Sequence, residues 1–381
     1  ISKVSFCSVL SVQSAERVII LQSNFTRNFA SHHSSIITIQ SLFLVVFHQC
    51  LFIQNFASGS GVIAIAPVIK SKISNCKFIS NLGHRGAAIQ AICPSPLQTP
   101  NFQNTLSYIA NHVTHQTECL TMNCAIPCIS VVFNSIFVNN SAFSVPNLVE
   151  GLGGSLVFKM LPGHMTLAYI KVAGCVFRNN FAQGSGGGIA LEGSFHFTAS
   201  KSTFIQNDVQ SGRGGGIASS ISKKLSFNFC IFSFNKAIGY GGVLSLVSSM
   251  NVRSSVSLHY CKITENRGSA GGAIHINQVD VLTISLCILM GNSAKRHGGS
   301  VYIVIGNIFS NYNCVNQKNS AENSGGAYYV HNCKVVLTKF SKFQSNYAGF
   351  QAAGLFASQV DKFVLRSLKF THNVLSYKSY D

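Results

Sequence analysis

The sequence predicts an all-β fold, a right-handed parallel β-helix of about thirteen rungs with a period near 27 residues. Three observations predict it: a short motif recurs along the chain, apolar residues alternate between its copies, and a Gly-Gly pair follows most copies. Of the 381 residues, 47% are hydrophobic and 10% are charged. The chain is therefore apolar enough to fold, and it is too poor in charge for a coiled coil or a long exposed helix.

The repeated unit reads Cys or Ser, any residue, Phe or Ile, two residues and then Asn. Clear copies run from Cys175 to Asn180 and from Cys230 to Asn235. The motif asparagines recur every 26 to 28 residues at eight of their eleven steps. A fixed period of this length is typical of a solenoid, whereas a β-propeller, the alternative, needs about 40 residues or more per blade. The motif asparagines are Asn28, Asn55, Asn81, Asn140, Asn180, Asn207, Asn235, Asn266, Asn292, Asn319, Asn346 and Asn373.

Short strands are predicted between these corners. Leu282, Ile284 and Leu286 alternate with polar residues, which is the period of a strand. The pattern then continues from Cys287 one residue out of phase, so a bend or bulge belongs there. A second strand opens at each Gly-Gly pair, where we expect His275 to point outward between two inward isoleucines.

Equivalent residues of successive rungs should stack in columns at the interstrand spacing of roughly 4.8 Å. The motif Asn is expected to adopt left-handed backbone and to bond the Asn of the next rung through its amide. Glycine supplies positive φ and permits close approach at the tightest corner. An internal aromatic stack is predicted from Phe52, Phe78, Phe137, Phe177, Phe204, Phe232 and Phe343.

We expect one β-helix domain over 1–381, itself a segment of a longer chain. Two long steps of the Asn series predict insertions at about 90–130, a Cys- and Pro-rich loop, and at 143–162. The first of these steps is either one period with an insertion or two irregular turns, because Tyr108 to Asn111 is a degenerate copy of the motif.

Neither a membrane span nor a capped solenoid is predicted. The longest unbroken run in the most apolar stretch is Leu42 to Phe47, which is far shorter than a spanning helix, so a buried strand is expected there. The repeats reach close to both chain ends without an amphipathic cap. We therefore expect further chain on each side, or end-to-end or lateral self-association.

Seven of the 13 cysteines occupy one repeat position, where other copies carry Ser. A column of equivalent residues facing a narrow core is expected to hold small buried side chains, with Cys acting as a small hydrophobe. These cysteines are Cys50, Cys76, Cys175, Cys230, Cys261, Cys287 and Cys314.

A second group of four cysteines lies in the irregular stretch between Asn81 and Asn140. In an oxidising compartment they would form two disulfides that pin a surface loop, with three connectivities open. A zinc site that also uses His112 or His115 is the alternative, although the spacing is not that of a standard ligand pair. The four are Cys93, Cys119, Cys124 and Cys128.

Two N-glycosylation sequons begin at Asn24 and Asn139. A chain this rich in Asn and Ser also produces such sequons by chance. They are candidates for modification and no more.

No catalytic constellation is evident, so a non-enzymatic protein without cofactor or metal is predicted. Lyases and glycosidases with this fold need clustered carboxylates, yet no two of the ten acidic residues lie within five residues of each other. The glycine runs at 184–188 and 212–216 lack the Lys-Ser/Thr and the helix of a phosphate loop. They are therefore interpreted as corners of the coil.

The net charge is more informative. The chain has 28 Lys and Arg residues but only 10 Asp and Glu residues, which gives a formal net charge of +18. Several cations lie between the Asn and Gly-Gly corners, where stacking would align them into a positive stripe along one edge. Sulfated or carboxylated glycans, teichoic acids or anionic lipid would suit it; nucleic acid is less favoured, and scattered solubilising charge is the alternative. The stripe candidates are Arg85, Arg213, Lys236, Arg267, Lys295 and Arg296.

The pairing of Phe-x-x-Asn with a Gly-Gly-Ala-Ile-like tetrapeptide, as at Phe177 to Asn180 and Gly271 to Ile274, resembles the repeats of chlamydial polymorphic outer membrane proteins. The resemblance covers nearly the whole chain, and similar repeats occur in surface proteins of eukaryotic microbes. It implies a surface-exposed β-helix and an extracellular role.

The sequence thus predicts an extracellular or cell-surface protein that acts as a structural or assembly element or as an adhesin. Its expected partners are other protein chains of a surface assembly, or anionic glycans. The alternative is a polysaccharide-binding or polysaccharide-degrading β-helix protein.

Overall fold

Parallel strands account for all the regular structure that the computed structural model describes, and it describes residues 9–31, 34–59, 61–66, 68–93, 128–144, 151–160, 168–248 and 252–376. Each strand pairs in parallel with the equivalent strand one repeat later, and the strands form three sheets. The predicted all-β parallel solenoid is confirmed. Two of the sheets have twelve strands each, so the described chain makes twelve rungs where about thirteen were expected.

The longest face of the solenoid is a 20-stranded sheet in which each rung contributes one long strand or two shorter ones. Its strands are β1 (Leu10–Leu21), β4 (Ile37–His48), β7 (Ile63–Ile65), β8 (Lys70–Ser74), β11 (Ile89–Cys93), β12 (Cys128–Phe133), β15 (Leu156–Met160), β16 (Ala168–Ala173), β19 (Ile189–Glu192), β20 (Phe195–Ser200), β23 (Ile217–Ser220), β24 (Lys224–Asn228), β27 (Leu244–Val247), β28 (Ser255–His259), β31 (Ile274–Asn277), β32 (Val279–Ser285), β35 (Val301–Ile303), β36 (Gly306–Tyr312), β39 (Tyr328–Lys339) and β42 (Leu355–Arg366).

The second face holds the Phe-x-x-Asn motif. Its strands are β2 (Asn24–Thr26), β5 (Leu51–Ile53), β9 (Lys77–Ile79), β13 (Ile136–Val138), β17 (Val176–Arg178), β21 (Thr203–Ile205), β25 (Ile231–Ser233), β29 (Lys262–Thr264), β33 (Ile288–Met290), β37 (Val315–Gln317), β40 (Lys342–Gln344) and β43 (Lys369–Thr371).

The third face is the shortest and follows the motif Asn. Its strands are β3 (Phe29–Ala30), β6 (Phe56–Ala57), β10 (Leu82–Gly83), β14 (Ser141–Ala142), β18 (Phe181–Ala182), β22 (Asp208–Val209), β26 (Lys236–Ala237), β30 (Arg267–Gly268), β34 (Ser293–Ala294), β38 (Ser320–Ala321), β41 (Tyr347–Ala348) and β44 (Val374–Leu375).

The motif asparagines form one continuous ladder along the solenoid. The Nδ2 of each Asn donates to the Oδ1 of the next, from Asn28 to Asn373, at 2.9 to 3.1 Å. The same Oδ1 also accepts the preceding backbone N–H, as in Asn207 N to Asn235 Oδ1 at 3.1 Å. These bonds satisfy an amide that is buried at nearly every rung.

The prediction that the motif Asn adopts left-handed backbone is wrong. At this corner the left-handed φ belongs to the residue before the Asn, for example Phe234 (φ 56) and Glu265 (φ 57), and among the described residues no motif Asn has positive φ. The asparagine is needed for its two-sided amide instead, because only a group that donates and accepts can extend such a ladder.

Glycine is required at the opposite corner for both expected reasons. Gly214 adopts φ 69, which strains any residue with a Cβ. A Cβ on Gly215 would lie 2.3 Å from the carbonyl oxygen of Gly242 in the next rung. The Gly-Gly pair therefore sets how closely successive rungs approach.

The interior contains the predicted phenylalanine column. Seven consecutive rings stack at centroid distances of 4.7 to 5.1 Å, and we call them the inner Phe stack. Phe343 is not part of it, because Ile263, Leu289 and Asn316 fill the three intervening rungs, and it stacks on Phe370 instead at 4.9 Å. The members of the inner Phe stack are Phe25, Phe52, Phe78, Phe137, Phe177, Phe204 and Phe232.

The Cys and Ser residues of the repeat form a second inner column, and the cysteines in it are buried and free. Cys261 donates from Sγ to the carbonyl of His259 at 3.4 Å, and its backbone N–H donates to the Sγ of Cys287 at 3.3 Å. The Sγ of Cys287 thus accepts from Cys261 and donates to the carbonyl of Ser285 at 3.2 Å, and the hydroxyl of Ser202 likewise accepts from the backbone N–H of Cys175 and donates to the carbonyl of Ser200. A thiol and a hydroxyl are therefore interchangeable at this position.

The 59-residue step is a single rung with an insertion, since β9 and β13 pair directly. The insertion leaves the long face between β11 and β12, where Cys93 and Cys128 form a disulfide. Cys119, Cys124, His112, His115 and the degenerate motif copy lie outside the described residues. The disulfide occupies two of the four thiols that the zinc alternative would use.

The stretch 143–162 is not one insertion, because it contains β15, which pairs with β11 and β19 in the long face. The predicted buried strand around Leu42 to Phe47 is confirmed as β4. No helix long and apolar enough to cross a membrane occurs among the described residues.

Candidate functional site: an outer aromatic ladder

One outward column of the long face changes from small to aromatic along the solenoid. It consists of the second residue of each long-face strand that begins after the corner between the shortest face and the long face. Ala190, Ala218 and Ser245 occupy it in register in three successive rungs. His275, Tyr302, Tyr329 and Phe356 occupy it in the next four.

These rings stack on one another because parallel strands hold equivalent side chains one rung apart. Tyr240, at the Gly-Gly corner, stacks on His275 with centroids 4.5 Å apart. The series continues from His275 to Tyr302 at 5.5 Å, from Tyr302 to Tyr329 at 5.1 Å, and from Tyr329 to Phe356 at 4.8 Å. We call these five residues the outer aromatic ladder.

His275 behaves as an aromatic spacer in this ladder. Its side chain points outward, as predicted, but it is only 5% exposed because Tyr240 and Tyr302 cover its two faces. Burial, and after it the nearby charge of Arg213, lower the pKa of His275 to about 3. Its Nδ1 shares a hydrogen bond with Ser245 Oγ at 3.2 Å. The imidazole is therefore neutral at physiological pH.

His297 extends the ring surface sideways. Its ring centroid lies 4.6 Å from that of Tyr329 and 6.1 Å from that of Tyr302. Burial first, and then the charge of Arg296, lower the pKa of His297 below its usual value. The ladder thus becomes two rings wide at this point, where Tyr302, Tyr329 and His297 are all half-buried.

Exposed cations border the ladder on its corner side. Arg213 precedes Tyr240 by one rung in the corner column, as the bonds Gly186 N to Arg213 O and Gly214 N to Tyr240 O demonstrate. Arg296 directly precedes His297, and Lys295 precedes Arg296. All three cations are exposed. Glu322 takes the place of Lys295 in the next rung, so the positive edge ends there.

The other three stripe candidates, which are Arg85, Lys236 and Arg267, lie on other parts of the solenoid surface. Lys236 and Arg267 are register neighbours on the shortest face, where Asp208 precedes them. Arg85 lies in an earlier rung and pairs with Glu192 at 3.7 Å. The six candidates therefore do not form one column, and only Arg213, Lys295 and Arg296 border the outer aromatic ladder.

The two sequon asparagines are both exposed. Asn24 begins β2, and Asn139 has left-handed backbone at the corner before Asn140. Within the described ranges, no group of three or more His, Cys, Asp or Glu side chains is placed to hold a metal ion.

The outer aromatic ladder was missed from the sequence, although a signal for it exists. The residue three after the second corner glycine is His275, Tyr302 and Tyr329 in consecutive copies. Aligning the repeats on the Gly-Gly pair, rather than on the Asn, would have displayed the column.

Comparison with known proteins gives little beyond the fold. No protein-family model matches the chain, and no curated protein matches it significantly. Among solved structures, it is similar to a mutant of the periplasmic alginate epimerase AlgG, with 12% sequence identity and a TM-score of 0.44. That match covers 94% of this chain and 76% of the other.

Proposed function

We propose that this chain is a non-enzymatic, extracellular β-helix protein that binds an anionic polysaccharide along the outer aromatic ladder. The observation that carries the proposal is a row of five stacked rings, of which Tyr240 is exposed and Tyr302, Tyr329 and Phe356 are half-buried, with three exposed cations at its edge. The proposal fits both the predicted adhesin and the predicted polysaccharide-binding protein.

The physical argument rests on complementary surfaces. Within the ladder the rings cover one another's faces, so the surface that a ligand can reach consists of ring edges, which carry partial positive charge, and of tyrosine hydroxyl groups. A linear anionic glycan has oxygen-bearing groups at regular intervals, as the ladder has ring edges. Arg213, Lys295 and Arg296 would then attract sulfate or carboxylate groups, with Arg able to bond two oxygens at once.

An extracellular setting is consistent with the disulfide between Cys93 and Cys128, because such bonds persist in oxidising compartments. Exposed aromatic surface is also depleted on ordinary soluble proteins unless it binds something. Stacked rings beside cations also suit single-stranded nucleic acid, so the test must include it.

Affinity electrophoresis in gels that contain heparin, alginate, or neutral dextran tests the proposal. We expect the protein to be retarded by the anionic glycans and not by dextran. The double substitution Tyr302→Ala with Tyr329→Ala should weaken retardation about tenfold, which corresponds to about 1.4 kcal/mol of lost binding free energy.

Tyr169→Ala is the matched control, because Tyr169 is 41% exposed on the outer side of the same sheet but lies outside the ladder. Equal retardation of the double variant and the wild type would refute the glycan site. A single-stranded oligonucleotide that displaces heparin through the same two tyrosines would instead assign the ladder to nucleic acid.

A further inference from the structure

A polar cluster interrupts the apolar core between two neighbouring rungs. Asn311 of β36, Asn316 of β37, and Tyr328 and Thr338 of β39 all point inward, and none is more than 1% exposed. Asn316 lies in the column of the inner Phe stack, between Leu289 and Phe343 in register. Asn316 therefore occupies a position at which most other rungs carry a phenylalanine, and the other three lie at positions that are aliphatic in neighbouring rungs.

The four side chains surround one region of the interior. Tyr328 donates from its hydroxyl to Asn311 Oδ1 at 3.3 Å, and its ring packs edge-on against Phe309 and Phe343 at 5.5 and 5.4 Å. Asn311 and Thr338 are register partners in adjacent strands. The tyrosine thus crosses the core and brings its hydroxyl to the side chains of the opposite wall.

Three polar atoms of this cluster have no hydrogen-bond partner among the described protein atoms: Asn311 Nδ2, Asn316 Oδ1 and Thr338 Oγ1. They comprise a donor, an acceptor and a hydroxyl that can act as either. Buried polar atoms of folded proteins are almost always bonded, and where protein partners are lacking an internal water commonly makes about three bonds.

We propose that these three atoms bind an internal water molecule that is a fixed part of the solenoid core. The water accepts from Asn311 Nδ2, donates to Asn316 Oδ1, and completes its bonds at Thr338 Oγ1. Asn316 is shorter than the phenylalanine that occupies the same column in the inner Phe stack. The site is independent of the outer aromatic ladder, because it faces the opposite side of the sheet.

The sign of a stability change distinguishes a hydrated site from a dry one. Thr338→Val keeps the shape of the side chain and removes only the hydroxyl. If water bonds that hydroxyl, the variant loses a hydrogen bond and its apparent Tm falls by about 2 °C. If the hydroxyl is unpaired, its removal relieves a buried polar group and the apparent Tm rises or stays unchanged.

Thr203→Val serves as the control for strand propensity, since Thr203 points outward from β21. A second measurement does not depend on any variant. In the wild-type protein, NMR should detect cross-peaks between a long-lived water and the side-chain amide protons of Asn311. Absence of those cross-peaks, or a Tm for Thr338→Val that does not fall relative to the control Thr203→Val, would overturn the proposal.

Discussion

Two aromatic columns run along this solenoid, one inside and one outside, and their ring spacing is nearly the same. Centroids of the inner Phe stack lie 4.7 to 5.1 Å apart, and those of the outer aromatic ladder lie 4.5 to 5.5 Å apart. The strand spacing of a parallel sheet sets this distance, whatever the side chain. The role of each column therefore follows from the side of the sheet on which it lies.

The two columns overlap only in part along the chain. The inner Phe stack ends at Phe232, and the outer aromatic ladder begins at Tyr240. In the next three rungs the interior position is held by Ile263, Leu289 and Asn316, and Phe343 and Phe370 occupy it again in the last two. A core position needs apolar volume, which Ile263 and Leu289 also supply, whereas an outward ring contributes less to stability and is accessible to a ligand.

The largest expected difference between the columns is in stability. Phe137 is fully buried, so Phe137→Ala should lower the free energy of unfolding by about 3 to 5 kcal/mol through lost burial and a cavity. Tyr329 is half-buried outside, so Tyr329→Ala should lower it by only about 1 kcal/mol. Urea unfolding followed by circular dichroism measures both. Equal losses of unfolding free energy in the two variants would contradict the conclusion that the inner column stabilises the fold more than the outer column does.

A pH effect of intermediate size is expected within the outer aromatic ladder. His275 has a folded pKa of about 3, whereas an unfolded histidine titrates near 6.5. Below pH 6.5 the unfolded chain binds a proton that the folded chain does not, so stability falls as the pH is lowered toward 3. From pH 7 to pH 4 this single group should reduce the free energy of unfolding by about 3 kcal/mol.

The variant His275→Phe isolates that effect, since phenylalanine occupies the same column at Phe356. Its unfolding free energy should depend less on pH between 7 and 4 than that of the wild type. If both proteins lose the same unfolding free energy between pH 7 and pH 4, a group other than His275 causes the acid sensitivity. Substitution of the exposed His372 by Phe is the control for removing one histidine from the chain.

The repeat predicts the interior well because each inward position obeys a constraint that every rung shares. Asn235 must both donate and accept to extend the ladder, and Gly215 must lack a Cβ, so both positions recur visibly in the sequence. The left-handed backbone conformation was predicted for the motif Asn, whereas the residue before it adopts that conformation. This position carries residues as different as Phe234, Glu265 and Lys318, so no residue type recurs there in the sequence.

The outer surface was less predictable because no shared constraint fixes it. The stripe hypothesis assumed that cations between the same two corners would align, but the candidates occupy different positions within these segments. Lys236 and Arg267 directly follow the motif Asn, whereas Arg213 directly precedes a corner glycine. Arg213 and Lys236 therefore lie on different lines of the surface, and Arg85 lies beside Glu192.

The smallest expected effect concerns charge at the edge of the outer aromatic ladder. Because Arg213 and Arg296 are exposed, each Arg→Ser change should weaken heparin binding by only about two- to fivefold at low salt. The difference from wild type should disappear as salt rises, since screening removes the contribution of exposed charges.

Arg85→Ser is the matched control, because that guanidinium is 3.7 Å from Glu192 and distant in sequence from the ladder. If Arg85→Ser weakens heparin binding as much as Arg296→Ser does, the interaction reflects the overall charge of +18 rather than a site at the ladder.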